Sequence, residues 1–203
     1  MVLDLACGRA PVADRLPSGL HYVGVDVSGA ELDEARARLP LAELHQVAAE
    51  EAVAVAGPNL AGVTVAMALM LLDLDAVLAP LAGVTVPGTR LSAIVPTRAP
   101  LSGADDDTAP LRDLGSLAAP FPHPVEEPDV GARLGALGRR LVLLEENRLR
   151  RPLRTDDDVS TVARSFYTDG SDHQGVLARL ERLRSSSGYL DYPIRRLVGE
   201  RDR

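Results

Sequence analysis

Two short stretches near the start of the chain combine carboxylates with small residues. Asp4 lies two positions before Ala6, and Gly8 follows two positions after Ala6. Asp26 comes 18 residues after Gly8, at the end of a second apolar run. Small residues allow a tight turn and a close approach of the backbone to a ligand. A carboxylate such as Asp26 can accept hydrogen bonds from both hydroxyls of a ribose, so the pattern predicts a nucleoside-type pocket.

The same stretch indicates which kind of nucleoside cofactor would fit. A nicotinamide site needs three glycines spaced G-x-G-x-x-G around a pyrophosphate, whereas this loop offers only Gly8. The carboxylate of Asp4 precedes the loop and would repel a pyrophosphate. It suits a cofactor with a cationic end and no phosphate, and S-adenosylmethionine, with its ammonium and sulfonium, is such a molecule. A nicotinamide-dependent oxidoreductase is therefore the less favoured interpretation.

Alternating apolar runs and helical patterns predict the elements that position these residues. Strands are predicted at residues 2–6, 22–27, 44–49, 62–71, 90–95, 139–145 and 193–199. Helices are predicted at residues 11–16, 28–39, 50–56, 72–82, 111–118, 129–137, 155–166 and 175–184. This alternation predicts a doubly wound, mostly parallel sheet in a single α/β domain spanning residues 1–203. Ligands of such sheets bind at the carboxyl ends of the strands, where the first two strands place Asp4 and Asp26.

Local signals mark several element boundaries. Ser28 with Glu31, and Thr155 with Asp158, have the spacing of capping boxes at helix starts. Val86-Pro-Gly88 predicts a turn before the fifth strand.

Composition excludes several classes of protein. The net charge is −7, which argues against a general nucleic-acid binder. All 22 basic residues are arginine, so a Walker A loop, a typical kinase and a Schiff-base lysine are excluded. The lone Cys7 excludes an internal disulfide and a cysteine-rich metal site, and it fits a reducing cytoplasm. The acidic triplets at 105–107 and 156–158 lack the spacing of a calcium loop, so no metal is expected.

The uncharged stretch at residues 52–72 is long enough to span a membrane. It contains the turn signal Gly57-Pro58-Asn59, so two buried pieces around a turn are the favoured interpretation. No membrane partner is expected.

Four stretches of the first half resemble class I S-adenosylmethionine-dependent methyltransferases of the small-molecule type, similar to methyltransferase type 11. They are Val2-Leu-Asp-Leu-Ala-Cys-Gly8, Val23-Gly-Val-Asp-Val-Ser28, Ala66-Met-Ala-Leu-Met-Leu-Leu-Asp73 and Val86-Pro-Gly-Thr-Arg-Leu91. The resemblance covers residues 1–96 well and is weaker near 135–153 and 193–203. It implies a seven-stranded Rossmann-like sheet, with a cofactor-binding half at 1–96 and an acceptor-side half at 97–203.

The resemblance implies S-adenosyl-L-methionine as cofactor and assigns it eight binding residues. These are Asp4, Ala6, Cys7, Gly8, Asp26, Val27, Glu50 and Ala66. Asp4 would orient the loop and the methionine amino group, directly or through water, while the small residues of the loop would lie against the methionine part. Asp26 would hold the ribose and Val27 would pack on the adenine. Glu50 would lie by the adenine edge, and Ala66 would offer its backbone near the sulfonium.

The chain departs from the family pattern at three places. Ala10 stands where a third glycine is usual, and Ala48 stands where an aspartate often binds the adenine amino group. The family also carries a helix before the first motif that covers the cofactor, whereas Met1 here almost begins the first strand. Either the start is misassigned or the protein lacks that cover. A catalytically inactive or non-methylating relative, with a cofactor-binding or scaffold role, therefore stays open as the alternative.

The expected reaction is in-line transfer of the methyl group to a small-molecule acceptor in the cytoplasm, by a chain that could form a homodimer. Alignment is the main catalytic contribution in such transfers. A general base is needed only if the acceptor must lose a proton early. His123 and His173 lie in the half that would build the acceptor pocket, but the sequence assigns the catalytic role to neither.

Overall fold

The computed structural model describes residues 1–58, 60–96, 109–118, 121–123, 127–166, 168 and 170–202. These residues form two compact units. The first contains Met1–Val95, Pro122–Glu145 and Arg196–Arg203, and the second contains Pro96–Phe121 and Glu146–Arg195.

Seven strands in the described part of the chain form one sheet. They are β1 (Val2–Leu5), β2 (Tyr22–Asp26), β3 (Glu43–Gln46), β4 (Leu60–Ala66), β5 (Thr85–Pro96), β6 (Arg139–Pro152) and β7 (Tyr189–Arg201). Their order is β3-β2-β1-β4-β5-β7-β6, and β1 to β5 pair in parallel. The order reverses between β1 and β4, which is the position where ligands of such sheets bind. The prediction of a doubly wound, mostly parallel, seven-stranded sheet is confirmed.

The helices alternate with the strands as predicted, except between β1 and β2, where the predicted helix ending near Leu16 is only a 3-10 turn at Ala13–Arg15. They are α1 (Gly29–Arg38), α2 (Val53–Ala56), α3 (Leu74–Leu81), α4 (Ala109–Gly115), α5 (Glu127–Ala136), α6 (Asp156–Arg164) and α7 (Gly170–Ser186). Short 3-10 turns lie at Ala13–Arg15, Ala49–Glu51 and Leu69–Leu71. The uncharged stretch at 52–72 is divided between α2, β4 and the third of these turns. No helix in the described residues is long and apolar enough to cross a membrane.

The central strands of the first unit are buried because their sequences are almost wholly apolar. One face of β1, β2 and β4 packs against α2 and α3 in the main core. Its central side chains are Leu3, Leu5, Val23, Val25, Val63 and Val65. The opposite face carries Asp4 and Tyr22, and Tyr22 packs with Ala10 and with Ala35 of α1 in a smaller cluster.

The capping predictions were right at one helix and half right at the other. At α6, the Thr155 side chain and the Asp158 side chain cap each other's backbone N–H groups, as predicted. At α1, the Ser28 hydroxyl accepts from the backbone N–H of Glu31, as predicted. The prediction that the Glu31 side chain caps the backbone N–H of Ser28 is wrong. That N–H donates to Asp26, while the Glu31 carboxylate accepts from Arg9.

Several strand boundaries also differ from the predictions, and those of β4 and β5 lie nearest the predicted site. The apolar run at 62–71 leaves the sheet after Ala66, because Met67 turns the backbone with a φ of 60°. The predicted turn at Val86-Pro-Gly88 lies inside β5 as a bulge, where Leu60 pairs with Thr85 and Gly62 with Arg90. Gly88 supplies a φ of 86°, which glycine adopts at little cost.

The second unit has its own helical core. Apolar residues of α4, α6 and α7 pack with residues from the nearby parts of β6 and β7. The most buried are Leu114, Leu153, Ala163, Val176, Leu180 and Leu190. Beside this core, Arg150 forms two parallel hydrogen bonds to Asp191, at 2.9 and 3.1 Å, and its guanidinium stacks 4.0 Å from the ring centre of Tyr189. The acidic triplet at 105–107 lies outside the described residues.

Candidate functional site

The loop after β1, which we define as residues 6–10, has an unusual backbone. Ala6, Gly8 and Ala10 adopt left-handed conformations, with φ of 51°, 52° and 55°. Such a conformation costs an ordinary L-residue about 1–2 kcal/mol, so two alanines here store strain that the surroundings must hold. Strained backbone of this kind concentrates at ligand-binding sites.

Asp26 holds this loop from the end of β2. One carboxylate oxygen accepts a hydrogen bond from the backbone N–H of Gly8 at 2.8 Å. The other accepts from the backbone N–H of Ser28, also at 2.8 Å. Asp26 is half-buried, and each carboxylate oxygen carries two lone pairs. It can therefore accept hydrogen bonds from ligand hydroxyls while it fixes the loop.

Val27 follows Asp26 and presents an apolar side chain to solvent. The side chain is 68% exposed, although a valine is usually buried. Its backbone carbonyl accepts from the Gln46 amide at 3.1 Å, which fixes the residue against the end of β3. Glu50 is exposed in the 3-10 turn that follows β3. The parallel pairing of β1, β2 and β3 brings these residues and the loop after β1 to one edge of the sheet.

Asp4 lies inside the sheet, one strand residue before the loop begins. It is 1% exposed, and its two carboxylate oxygens accept from the hydroxyls of Tyr22, at 2.7 Å, and Thr64, at 2.6 Å. Burial raises the pKa of this carboxyl above its ordinary value, although both hydroxyl hydrogen bonds act to lower it. Asp4 thus ties β1 to β2 and β4, and any contact with a ligand must use its remaining lone pairs.

Cys7 is a packing residue in this arrangement. Burial, followed by the nearby carboxylates of Asp4 and Asp26, raises the pKa of its thiol to about 12. The group is therefore a neutral thiol at physiological pH, and an unreactive one. Its sulfur lies where a side chain at Gly24 would have to be, because a β-carbon there would come within 2.8 Å of it.

The end of β4 forms the next part of the same edge. Ala66 is its last residue, and Met67 follows in a left-handed conformation with its N–H bonded to the carbonyl of Ile94 at 2.7 Å. The backbone N–H of His123 donates to the carbonyl of Met70 at 3.1 Å, which brings that histidine to this part of the first unit. His173 belongs to the second unit, where its ring lies 3.3 Å from the Thr168 hydroxyl.

Asp73 lies at the start of α3. Its carboxylate accepts from the backbone N–H groups of Asp75 and Ala76. The hydrogen bond from Ala76, and to a smaller extent that from Asp75, lowers the pKa of Asp73. The positive charges of His123 and Arg133 contribute less.

The structure thus places the predicted residues of the first half at the carboxyl edge of β1, β2, β3 and β4, except that Asp4 is enclosed within the sheet. The sequence analysis missed Tyr22, Thr64 and Gly24. A glycine inside a strand is a signal for close backbone approach, and it could have identified Gly24. Among the described residues, no three His, Cys, Asp or Glu side chains are grouped closely enough to hold a metal ion.

Comparison with known proteins shows similarity of structure. No family model matches the chain, and no curated protein matches it by sequence. A candidate methyltransferase from Bacillus halodurans superposes with a TM-score of 0.68 at 17% identity, covering 100% of this chain and 92% of that one. An S-adenosylmethionine-dependent methyltransferase from Archaeoglobus fulgidus gives 0.61 at 14% identity, covering 98% and 85%. The [4+2]-cyclase SpnF gives 0.62 at 15% identity, covering 99% and 74%.

These similarities define the class of fold. The chain has the fold of the class I S-adenosylmethionine-dependent methyltransferases, as the sequence resemblance implied. At sequence identities below 20%, the similarity establishes the fold only. The activity must be inferred from the geometry and chemistry of the site.

Proposed function

We propose that this chain binds S-adenosylmethionine at the carboxyl edge of β1 and β2 and transfers its methyl group to a small-molecule acceptor in the cytoplasm. One observation carries the proposal: the strained loop at 6–10 is fixed by Asp26, next to an exposed Val27. Strained backbone, a carboxylate with free lone pairs and an exposed apolar side chain together suit the methionine, ribose and adenine parts of one nucleoside. The lone buried cysteine is compatible with the proposed compartment.

Each residue would contribute binding and orientation. The carboxylate of Asp26 would accept the ribose hydroxyls, and Val27 would cover one face of the adenine. Glu50 is exposed close to the end of β3, where it could accept from the adenine amino group. The backbone of the loop after β1 and of Ala66 would line the methionine part. Asp4 would act mainly by holding β1 against β2 and β4.

When bound, the cofactor supplies an electrophilic methyl group on a sulfonium. In the proposed transfer, the acceptor would take the methyl group from sulfur, and the sulfur would keep the electron pair of the broken carbon–sulfur bond. A proton that the acceptor loses passes to solvent or to a nearby base. The protein's contribution in this proposal is alignment of acceptor, carbon and sulfur, which can supply a large part of the rate enhancement.

A second candidate function is cofactor binding without methyl transfer. The similarity to a [4+2]-cyclase supports a reaction other than methyl transfer, because that protein superposes about as well as the methyltransferase from Archaeoglobus fulgidus. One fold commonly supports unrelated reactions.

Calorimetry with S-adenosylhomocysteine tests the proposed site. Val27→Arg places a charged side chain where the adenine would pack, and the position is exposed, so folding should be preserved. Leu41→Arg is the matched control, because Leu41 is 99% exposed and precedes β3 at the opposite edge of the sheet. We expect wild-type binding in the micromolar range, weakened about tenfold or more by Val27→Arg and unchanged by Leu41→Arg. Absence of binding by the folded wild-type chain, or equal binding by Val27→Arg, would contradict the proposal.

Turnover separates the two candidate functions. Conversion of S-adenosylmethionine to S-adenosylhomocysteine would be measured with a panel of small hydroxyl, amine and thiol acceptors. Acceptor-dependent conversion that Val27→Arg abolishes supports methyl transfer. Tight binding with no acceptor-dependent conversion across the panel supports the second candidate.

A further inference from the structure

The alanines of the loop after β1 require something to hold them in shape. Glycine adopts the left-handed conformation freely, whereas an alanine leaves it unless its neighbours prevent this. Ala10 has a φ of 55° and is completely buried. Asp26 accepts from the N–H of Gly8, and the N–H of Ala10 donates to the carbonyl of Cys7 at 2.8 Å. Neither bond involves the carbonyl groups of Arg9 and Ala10.

Arg38, in the last turn of α1, contacts the part of the loop that Asp26 does not. One terminal nitrogen of its guanidinium donates to the carbonyl of Arg9 and, at 3.0 Å, to the carbonyl of Ala10. The other terminal nitrogen pairs with the carboxylate of Asp14, just beyond the loop. A single planar group thus joins three points of the chain between residues 9 and 14.

The Arg9 side chain adds a second connection to the same helix. Its Nε lies 3.0 Å from the carboxylates of both Glu31 and Glu34. Exposed ion pairs of this kind contribute little by themselves. The two carbonyl contacts of Arg38 differ from them, because they act on the backbone at the strained Ala10 and at its neighbour Arg9, and the contact with Ala10 is partly buried.

We propose that Arg38 is a positioning residue that keeps the cofactor loop in its binding conformation before the cofactor arrives. Its guanidinium binds the Arg9 and Ala10 carbonyls and so stabilises, at Ala10, a backbone conformation that a glycine would adopt without help. The Gly8 N–H then stays directed at Asp26, and the loop is ordered at no further cost when the ligand binds. This inference rests on the proposed function of the loop as a cofactor site.

A double-mutant cycle tests this role. S-adenosylhomocysteine affinity would be measured by calorimetry for wild type, Arg38→Gln, Ala10→Gly and the double variant, with thermal unfolding of each. We expect Arg38→Gln to weaken binding about tenfold. In the Ala10→Gly background the same substitution should weaken binding by no more than about twofold, because glycine needs no restraint there.

Two further variants distinguish positioning from a general structural effect. Arg36→Gln is the matched control on the same helix, where Arg36 pairs with Asp33, and it should leave affinity unchanged. Arg38→Lys should weaken binding less than Arg38→Gln, since an ammonium can still reach one carbonyl. Equal affinity of wild type and Arg38→Gln would overturn the inference, as would an Arg38→Gln effect of the same size in both backgrounds.

A separate readout keeps failure of this inference distinct from failure of the proposed function. Hydrogen exchange of the Gly8 and Ala10 amides in the unliganded chain should be faster in Arg38→Gln than in wild type. If wild type does not bind S-adenosylhomocysteine, the proposed function fails whatever the exchange shows. Unchanged exchange in Arg38→Gln contradicts the role of Arg38 whether or not the ligand binds.

Discussion

The loops that follow β1 and β4 both hold a non-glycine residue in a left-handed conformation, but different contacts stabilise them. Both leave a central parallel strand at its carboxyl end. The loop after β1 has backbone hydrogen bonds from Cys7 to Val25 and from Ala10 to Cys7, and side chains from other elements, chiefly Asp26 and Arg38, hold it in addition. The loop after β4 is held by backbone bonds, such as that from Met67 to Ile94, while the Met67 side chain is 37% exposed.

The difference shows on which other residues the shape of each loop depends. A loop that side chains hold depends on particular residues elsewhere in the chain. A loop that backbone pairing holds leaves its side chains available for other contacts. The loop after β1 should therefore be the more sensitive of the two to substitutions in other elements.

Removal of Asp26 should have the largest effect on the loop after β1. Asp26→Ala leaves the N–H groups of Gly8 and Ser28 without their charged acceptor, and we expect a loss of about 2–4 kcal/mol in the free energy of unfolding. S-adenosylhomocysteine affinity should fall by about a hundredfold, since both loop shape and the ribose acceptor are lost. Urea unfolding and calorimetry give the two values. Asp33→Ala on the exposed side of α1 is the control, and a similar loss there would contradict the account.

The second prediction concerns Asp4, which joins the strands before both loops. The pKa of Asp4 is raised above 3.8 by burial, so the folded state takes up this proton more readily than the unfolded state. The contribution of Asp4 to stability is therefore fully present below the unfolded pKa and is lost as pH rises through the folded pKa.

Comparison of wild type with Asp4→Asn isolates this contribution. The variant cannot titrate at that position, so the difference in unfolding free energy should change in its favour as pH rises from below 4. Subtracting the two urea-unfolding series cancels the carboxyls that shift in the opposite direction, such as Glu43 and Asp158. A difference that stays constant with pH would show that Asp4 is not perturbed.

The smallest predicted effect comes from relieving the strain itself. Ala6→Gly should raise the free energy of unfolding by about 0.5–1 kcal/mol, because glycine adopts a φ of 51° without a steric penalty. Ala61→Gly is the matched control, since Ala61 is exposed in the extended strand β4. There the same substitution should lower stability by about 0.5–1 kcal/mol. Equal signs at the two positions would contradict the strain assigned to Ala6.

Sequence patterns predicted the fold well where apolar runs end at turn signals. The strands at 2–6 and 22–27 match β1 and β2 to within one residue for this reason. The run at 62–71 misled the prediction because residues beyond Ala66 are also apolar, and hydropathy alone cannot show where the backbone leaves a sheet. In the second half, β6 extends beyond 139–145 through residues that are mostly charged and show little strand pattern. Strand β7 begins four residues before the predicted 193–199, at Tyr189, because Pro193 lies inside the strand instead of at its start.

The site residues also divide into those that local sequence patterns predict and those that they do not. Asp4, Gly8 and Asp26 could be identified because they lie in short motifs of recognisable spacing. The hydroxyl partners of Asp4 come from residues 18 and 60 positions away, and the contact of Arg38 with Ala10 spans 28 positions. No local pattern encodes such contacts, because they depend on strand register and on the packing of α1 against the sheet.

Hydrogen exchange of the whole chain, with and without S-adenosylhomocysteine, tests the central claim most directly. We expect slower exchange on ligand addition at residues 6–10 and 26–28, with no change in α7 of the second unit. Exchange that is unchanged at both segments under saturating ligand, or ligand-dependent protection confined to other parts of the chain, would contradict the assignment of this edge as the cofactor site.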